Sequence, residues 1–212
     1  MFNEDSDNKN VNRNGLQIRK FKLKDLFVKK TMKGYPKIVE DMTENKNGYP
    51  VYGQNIQWKY PYKLLLDEKY LHRVDSNYPI LAYTSSVGEI GMIDEDFYRS
   101  GDNGAFQGVF PKHYRFNKYQ LNYLLSILNK HFDNFGYSTS MTNIMELDFY
   151  LPIKVENNSI VIDEEHKYHK EGYLPDFEFM EKYIRVIEKL VIADVVKYKD
   201  KIIEKSKEVT TL

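Results

Sequence analysis

The sequence predicts an α/β (α+β) protein: one globular body with a small mixed sheet and helices, followed by a long C-terminal coiled-coil-type helix. Three observations carry this. Between Tyr49 and Phe110, short β-prone runs alternate with turns rich in Gly and Ser, the pattern of a sheet built from short strands. From Asn117 to Phe132 the apolar residues switch to i, i+3, i+4 relations, the period of a helix. Beyond Pro175 an apolar stripe runs on with no Gly or Pro to break it. At 212 residues the chain is long for one domain and short for two, which favours a single body plus an appendage.

Taken in order, residues 1–15 are rich in Asn, Asp and Lys without an apolar run, so a flexible tail is expected, neither a signal peptide nor an anchor. Ile18, Phe21, Leu23, Leu26 and Phe27 mix alternation with a helical step, which reads as a strand and one turn packed on it. Residues 28–48 carry Lys29, Lys30, Lys33 and Lys37 with Gly34 and Pro36, a basic exposed connection. Such a run is commonly a solvated loop; contact with phosphate is the alternative. Tyr49 to Gln54 reads as a short strand ending in a turn, followed by a polar aromatic stretch with Trp58, Lys59, Tyr60, Tyr62 and Lys63. Ile80–Thr84 gives the clearest strand, and the turn through Ser85, Ser86 and Gly88 leads into a second strand beside it. Ala105 to Phe110 is a further strand, interrupted by Gly108 where a bulge is expected. The helix from Asn117 to Phe132 is apolar on more than one face, and Ile144, Leu147, Phe149 and Leu151 return to a strand or short helical turn before Pro152.

The last segment is the most regular. Asp176 is placed to cap a helix, and Glu178 suits its positive end. Met180, Ile184, Ile187, Val191, Val195, Tyr198 and Ile202 follow at spacings of 4, 3, 4, 4, 3 and 4, with Tyr183, Leu190 and Ile203 widening the stripe. A helix of about 32 residues reaches roughly 48 Å, more than the body needs for its own closure. A second helix is the simplest cover for the stripe; folding back onto its own body is the alternative.

Composition narrows the chemistry. Lys plus Arg equals Asp plus Glu at 31 each, so any surface for a polyanion must come from charge segregated onto one face. Without cysteine there are no disulfides or thiolate metal sites, and a reducing cytoplasm is the simplest home. No run approaches the roughly 20 apolar residues of a membrane span, which predicts a soluble protein without membrane contact. An adenine methyltransferase would need Asn or Asp before Pro-Pro and an aromatic residue, and the chain has no Pro-Pro pair. It also lacks a Gly-x-Gly-x-x-Gly or phosphate-binding loop, so no cofactor is expected. Asp148 with Glu165, His166 and Lys167 could in principle hold Mg²⁺ and steady an attacking water, the chemistry of a metal-dependent DNA nuclease. Such spacing arises often by chance, and a solvated loop is the plainer reading. His166 and His169 at i, i+3 are read as a surface pair, and no metal site is assigned.

The order of four segments resembles the specificity subunits of type I restriction-modification systems and the related type IIB-like subunits. They are Phe21-Lys22-Leu23-Lys24-Asp25-Leu26-Phe27, then Tyr49-Pro50-Val51-Tyr52-Gly53-Gln54, the strand and turn from Ile80 to Gly91, and Leu151-Pro152 before the helix. The helix opening Pro175-Asp176-Phe177-Glu178-Phe179-Met180 is similar to the type IIB-like branch. The resemblance implies a target-recognition domain over residues 16–174 and a spacer or dimerisation helix over 175–209. It also implies a non-catalytic role: directing methyltransferase and restriction subunits to a two-part site in double-stranded DNA. Family members usually carry two recognition domains and two spacer helices, whereas this chain carries one of each. It therefore resembles a half-subunit, expected to form a homodimer through its helix.

In that family the reading loops differ between members, so no base-reading residue carries over by motif. From the polar loops near strands, the candidate base readers are Gln54, Asn55, Tyr83, Ser85, Ser86, Tyr137, Ser138, Thr139 and Ser140. Lys29, Lys30, Lys59, Lys63, Arg73, Lys112 and Arg115 are the candidate phosphate contacts. For each alone, an ordinary turn residue or solvated side chain is the commoner outcome. A third functional class remains open, a module that binds methyltransferase subunits through its helix without reading DNA.

Overall fold

The computed structural model describes residues 16–36, 43–53, 56, 59–84, 88–101, 106–132 and 141–210. Strand β1 (Ile18–Lys22) passes directly into the four-residue helix α1 (Leu23–Leu26) and on into β2 (Phe27–Thr31). The expected strand and packed turn are therefore present. Asp25 closes the turn by accepting from the Lys22 backbone N–H at 2.9 Å. β2 runs from Phe27 into residues 28–31, which the sequence suggested belonged to a loop. It lies at the edge of its sheet with Val28, Lys29, Lys30 and Thr31 all exposed. A strand wetted on both faces shows no period-2 pattern, and lysines on an edge discourage further pairing.

Next come β3 (Tyr49–Tyr52), β4 (Lys59–Leu64), β5 (Ile80–Thr84), β6 (Glu89–Ile93), β7 (Tyr98–Arg99) and β8 (Phe106–Pro111). They form a four-stranded antiparallel sheet in the order β2-β8-β5-β6 and a three-stranded sheet in the order β4-β3-β7, in which β3 and β7 run parallel. β5 is buried along its whole length. Its side chains alternate between two cores, Leu81 and Tyr83 into one, Ile80 and Ala82 into the other. Gly108 is not a bulge, because the ladder runs through it in register with Ala82 and Lys30. The glycine is required by crowding, since a Cβ there would come 2.6 Å from the Phe110 ring and 2.7 Å from Met32 Sδ.

Helix α2 (Lys118–Phe132) covers the Leu81–Tyr83 face with Leu121, Leu124, Leu128 and Phe132. Asn117 caps it reciprocally with Gln120: the Asn117 side chain accepts from the backbone of Tyr119 and Gln120, and Gln120 Oε1 accepts from the Asn117 N–H at 2.9 Å. A 3-10 turn over Met141–Glu146 leads into β9 (Asp148–Pro152), which pairs antiparallel with β1 and brings the two ends of the body together. The hairpin β10 (Val155–Glu156) and β11 (Ser159–Ile160) turns through Asn157 and Asn158 at φ 49° and 60°, left-handed values that Asn tolerates.

The chain ends in α3 (Phe177–Thr210), 34 residues and about 51 Å long. Asp176 caps it as expected, accepting from the Phe179 N–H at 2.8 Å. Only its first turns rest on the body. Phe177 stacks on Tyr114 at 4.0 Å and meets Phe116 and Tyr168 edge-on at 5.4 and 5.5 Å. Gln120, buried beneath, donates to the Phe177 carbonyl at 3.2 Å and to Tyr114 Oη at 3.0 Å. Tyr123 touches Phe179 and Tyr183, and the Arg185 guanidinium lies 3.8 Å above the Tyr119 ring.

Candidate functional site

The strand register brings the described stems of the connections named as readers to one rim of the body. Thr84 at the end of β5 lies across from Phe106 at the start of β8, and Gln107 lies across from both Tyr83 and Thr31. The end of β3 joins the same rim, since Tyr52 is 6.3 Å from the Phe106 ring and accepts from the Ser100 N–H at 2.8 Å. Phe132, the last residue of α2, packs on Tyr83 at 6.1 Å. Segments 54–55, 85–87 and 133–140 therefore leave from neighbouring stems, with 102–105 returning beside them at Phe106. Gln54, Asn55, Ser85, Ser86, Tyr137, Ser138, Thr139 and Ser140 themselves lie outside the described residues.

Tyr83 needs correcting as a base reader. It is only 1% exposed, with its ring in the main core, and burial pushes its hydroxyl up to about 12. Alternation along β5 turns it inward, a direction that proximity to a polar turn in sequence did not reveal.

The candidate phosphate contacts divide. Lys29 and Lys30 stand on β2 next to the rim, with Lys30 Nζ 5.4 Å from the Phe110 ring. Lys59 is also at the rim but is bonded to Glu95, whose carboxylate raises the lysine pKa. Lys63 lies toward the far end of β4, in a shallow depression shared with Asp94, Glu95 and Asp96. Arg73 is held by Asp96 at 2.7 Å and Glu68 at 2.8 Å, and Arg115 by Asp75 at 2.8 Å over the Tyr78 ring. Lys112 is exposed after β8, its N–H bonded to the Leu26 carbonyl.

Two features escaped sequence reasoning. One is the Thr31–Gln107 couple, in which Gln107 Nε2 donates to Thr31 Oγ1 at 3.0 Å. The two residues are far apart in sequence, and only the β2–β8 register joins them. The other is a cleft of about 510 Å³ between β1, β9 and the 169–173 loop. It is lined by Arg19, Lys20, Lys22, Lys24 and Lys170 together with Asp25, Asp148 and Glu171. Lys22 and Lys24 converge on Glu146 at 3.0 and 2.7 Å, which lowers the pKa of that carboxyl. Lys20 and Lys22 flank the core residue Phe21 on β1, so one strand face carries both, and Lys24 follows from α1.

The nuclease constellation is not assembled. Asp148 faces Lys20 at 4.0 Å, while Glu165 pairs with its neighbour Lys167 in a loop organised by Asp163. His166 contacts the Lys170 carbonyl, whereas the His169 ring packs between Phe21 and Tyr173. Among the described residues no three His, Asp or Glu side chains come together to hold a metal.

The helix stripe also divides. Met180 is 0% exposed and belongs to the main core, so it is a docking residue for its own body rather than part of a helix interface. Ile184 is half-buried, and Ile187, Val191, Val195, Tyr198 and Ile202 are exposed, joined by Val186, Leu190, Ile192, Val196 and Ile203. No helix among the described residues is long and apolar enough to cross a membrane.

The class the fold defines is a mixed α/β body from which one long helix projects, its apolar stripe exposed beyond the first turns. The model of the type I restriction modification DNA specificity domain matches residues 17–163, and the chain belongs to that family. Comparison with curated proteins gives no match. Among solved structures, one addressing complex assembly and conformational transition of the type I R-M system aligns at TM-score 0.51 and 12% identity, over 86% of this chain and 42% of that one. The HsdS subunit from Thermoanaerobacter tengcongensis aligns at TM-score 0.48 and 11% identity, over 83% of this chain and 38% of that one. The type I S subunit from M. genitalium aligns at 0.45 and 14%, over 68% and 37%. The chain thus spans about two-fifths of the length of the solved chains it matches.

Proposed function

We propose that this chain reads one half of a two-part sequence in double-stranded DNA and directs a methyltransferase subunit to it. Residues 16–174 serve as the target-recognition domain and 175–209 as the spacer. Catalysis and the methyl donor belong to the partner. The reading rests on the family together with one observation, the apolar stripe of α3 left exposed from Val186 onward. Exposed apolar area of this extent on a helix calls for a covering helix. A second copy supplies it most economically, because a two-fold pair also supplies the second recognition body and makes half-site separation a function of helix length.

The test is selection from a random duplex library, using the full chain together with a methyltransferase subunit that it binds. Enrichment of a two-part or palindromic motif is expected. A flat profile from a complex that nevertheless assembles would instead fit a module that binds methyltransferase without reading DNA.

A further inference from the structure

The chain as a whole is neutral, but residues 19–33 carry seven cations against one carboxylate, Asp25. Asp25 is committed within the fold, where it accepts from the Lys22 N–H at 2.9 Å. The stretch folds as β1, α1 and β2 without a break, so the excess of charge in sequence becomes a band on the surface. Packing adds two more lysines to it. Lys170 lines the 510 Å³ cleft together with Lys20, Lys22 and Lys24. Lys112 joins at α1, its N–H donating to the Leu26 carbonyl at 2.9 Å. Along β8 from Lys112, Phe110 and Gly108 follow on the same strand face, and Gly108 lies across from Lys30. The band therefore runs from the cleft past α1 and along the edge strand β2 to the rim at Thr31, with roughly 14 Å between the backbones of Lys112 and Lys30.

Carboxylates border the band without cancelling it. Glu146 holds Lys22 and Lys24, and Asp148 stands 4.0 Å from Lys20. All five side chains are more than 40% exposed, so these pairs are weakly held in water. Glu171 lines the same cleft. Lys30, Lys112 and Lys170 are exposed and, among the described residues, pair with no carboxylate. Lys59, Arg73 and Arg115, on other parts of the body, are each closed by an acid.

Resting on the DNA-reading function proposed above, we infer that this band is the track on which the duplex backbone lies, with Lys30, Lys112 and Lys170 each meeting a phosphate. A DNA strand presents one phosphate about every 3.4 Å of axis, so a band of this length spans several. Lysine meets phosphate as a compact charge on a flexible stem and needs no fixed geometry, which suits exposed side chains on strand ends and a loop. Phosphate contacts set position while bases are read elsewhere, so a track ending at the rim delivers the duplex to the connections that leave it.

The experiment follows binding of labelled duplexes against salt concentration for the full chain together with a methyltransferase subunit that it binds. One duplex carries the motif selected from a random library, and the other is unrelated. The triple variant Lys30→Gln, Lys112→Gln, Lys170→Gln is compared with Lys63→Gln, whose lysine lies near Asp94, Glu95 and Asp96 toward the far end of β4. At about 0.9 in slope per phosphate contact, log affinity against log salt should flatten by about 2.7 in the triple variant. A fourfold drop in salt then raises its affinity about 40-fold less than that of the wild type. Its melting temperature and its selected motif should be unchanged, and Lys63→Gln should behave as the wild type. If the triple variant does not fold, the single variants are read in the same way, at about 0.9 each. A wild-type slope in the triple variant overturns the inference while leaving the recognition function standing. A motif altered at one position also overturns it, since that marks base reading, and so does equal flattening by Lys63→Gln, which marks net charge alone. A flat selection by the wild type sinks the recognition function, and the slopes on the unrelated duplex still decide the track.

Discussion

Met180 and Val191 lie on the same stripe of α3, but only Met180 belongs to the body: it is 0% exposed, against 57% for Val191. Truncating Met180 to alanine removes a buried side chain from the main core and should cost about 2–5 kcal/mol. For a chain of this size each kcal/mol is worth roughly 2–4 °C, so the melting temperature should fall by roughly 4–20 °C. Val191→Ala removes a side chain that touches no core and should stay within about 0.5 kcal/mol of the parent. Pairing of the helix would add a concentration-dependent part to the Val191 effect. Thermal unfolding is therefore measured over a dilution series and compared at the dilute limit. If Val191→Ala costs as much as Met180→Ala there, the helix lies back on its own body, and the projecting stripe is refuted.

Replacing Ile187 and Val191 together with Asp should leave the body's melting unchanged and weaken assembly by about three orders of magnitude. Burying the remaining half of each side chain is worth about 1 kcal/mol, and a two-fold pair has four such sites. An unchanged mass by light scattering would contradict this. Gly34→Ala places a Cβ 1.7 Å from the Gly101 carbonyl oxygen, a backbone contact that cannot turn aside, and should cost more than about 2 kcal/mol in urea unfolding. A neutral result would mean that the contact between the 34–36 and 99–101 segments is absent. Burial holds the His169 and His72 imidazoles below their ordinary range, aided at His72 by Arg99 and opposed by the Lys33 carbonyl. The unfolded chain then protonates first, so stability is full above about pH 6.5 and declines as pH falls through that value. The double variant His72→Gln, His169→Gln should flatten the profile between about pH 5.5 and pH 7.5. A wild-type melting temperature that does not change across that range would count against the buried, neutral imidazoles.

The elements legible in the sequence were those with a continuous apolar run or stripe. Leu121, Leu124 and Leu128 announced α2, Ile80 to Thr84 announced β5, and Asp176 with the stripe announced α3 to within a residue or two. β2 was missed because an edge strand wet on both faces leaves no alternation, and its lysines read as a loop. Tyr83 was misplaced because sequence shows proximity to a turn but not which way a strand residue points. Met180 was misplaced for a related reason: one continuous stripe can serve two surfaces in succession, and only packing shows where the first ends. The Thr31–Gln107 couple and the lysine-lined cleft depend on pairings between distant strands, which a single sequence does not print.

The ring cluster that seats Phe177 against Tyr114, Phe116 and Tyr168 acts as the pivot of a lever. The rod it holds is about 51 Å long, so a tilt of about 5° at the seat carries the far tip through roughly 4 Å. That displacement exceeds one base-pair step along a duplex, about 3.4 Å. Whatever is mounted at the distal end is thus aimed by three aromatic side chains at the proximal one. Substitutions at Tyr114 or Tyr168 would then change how much slack the far attachment has, without altering any surface that it touches.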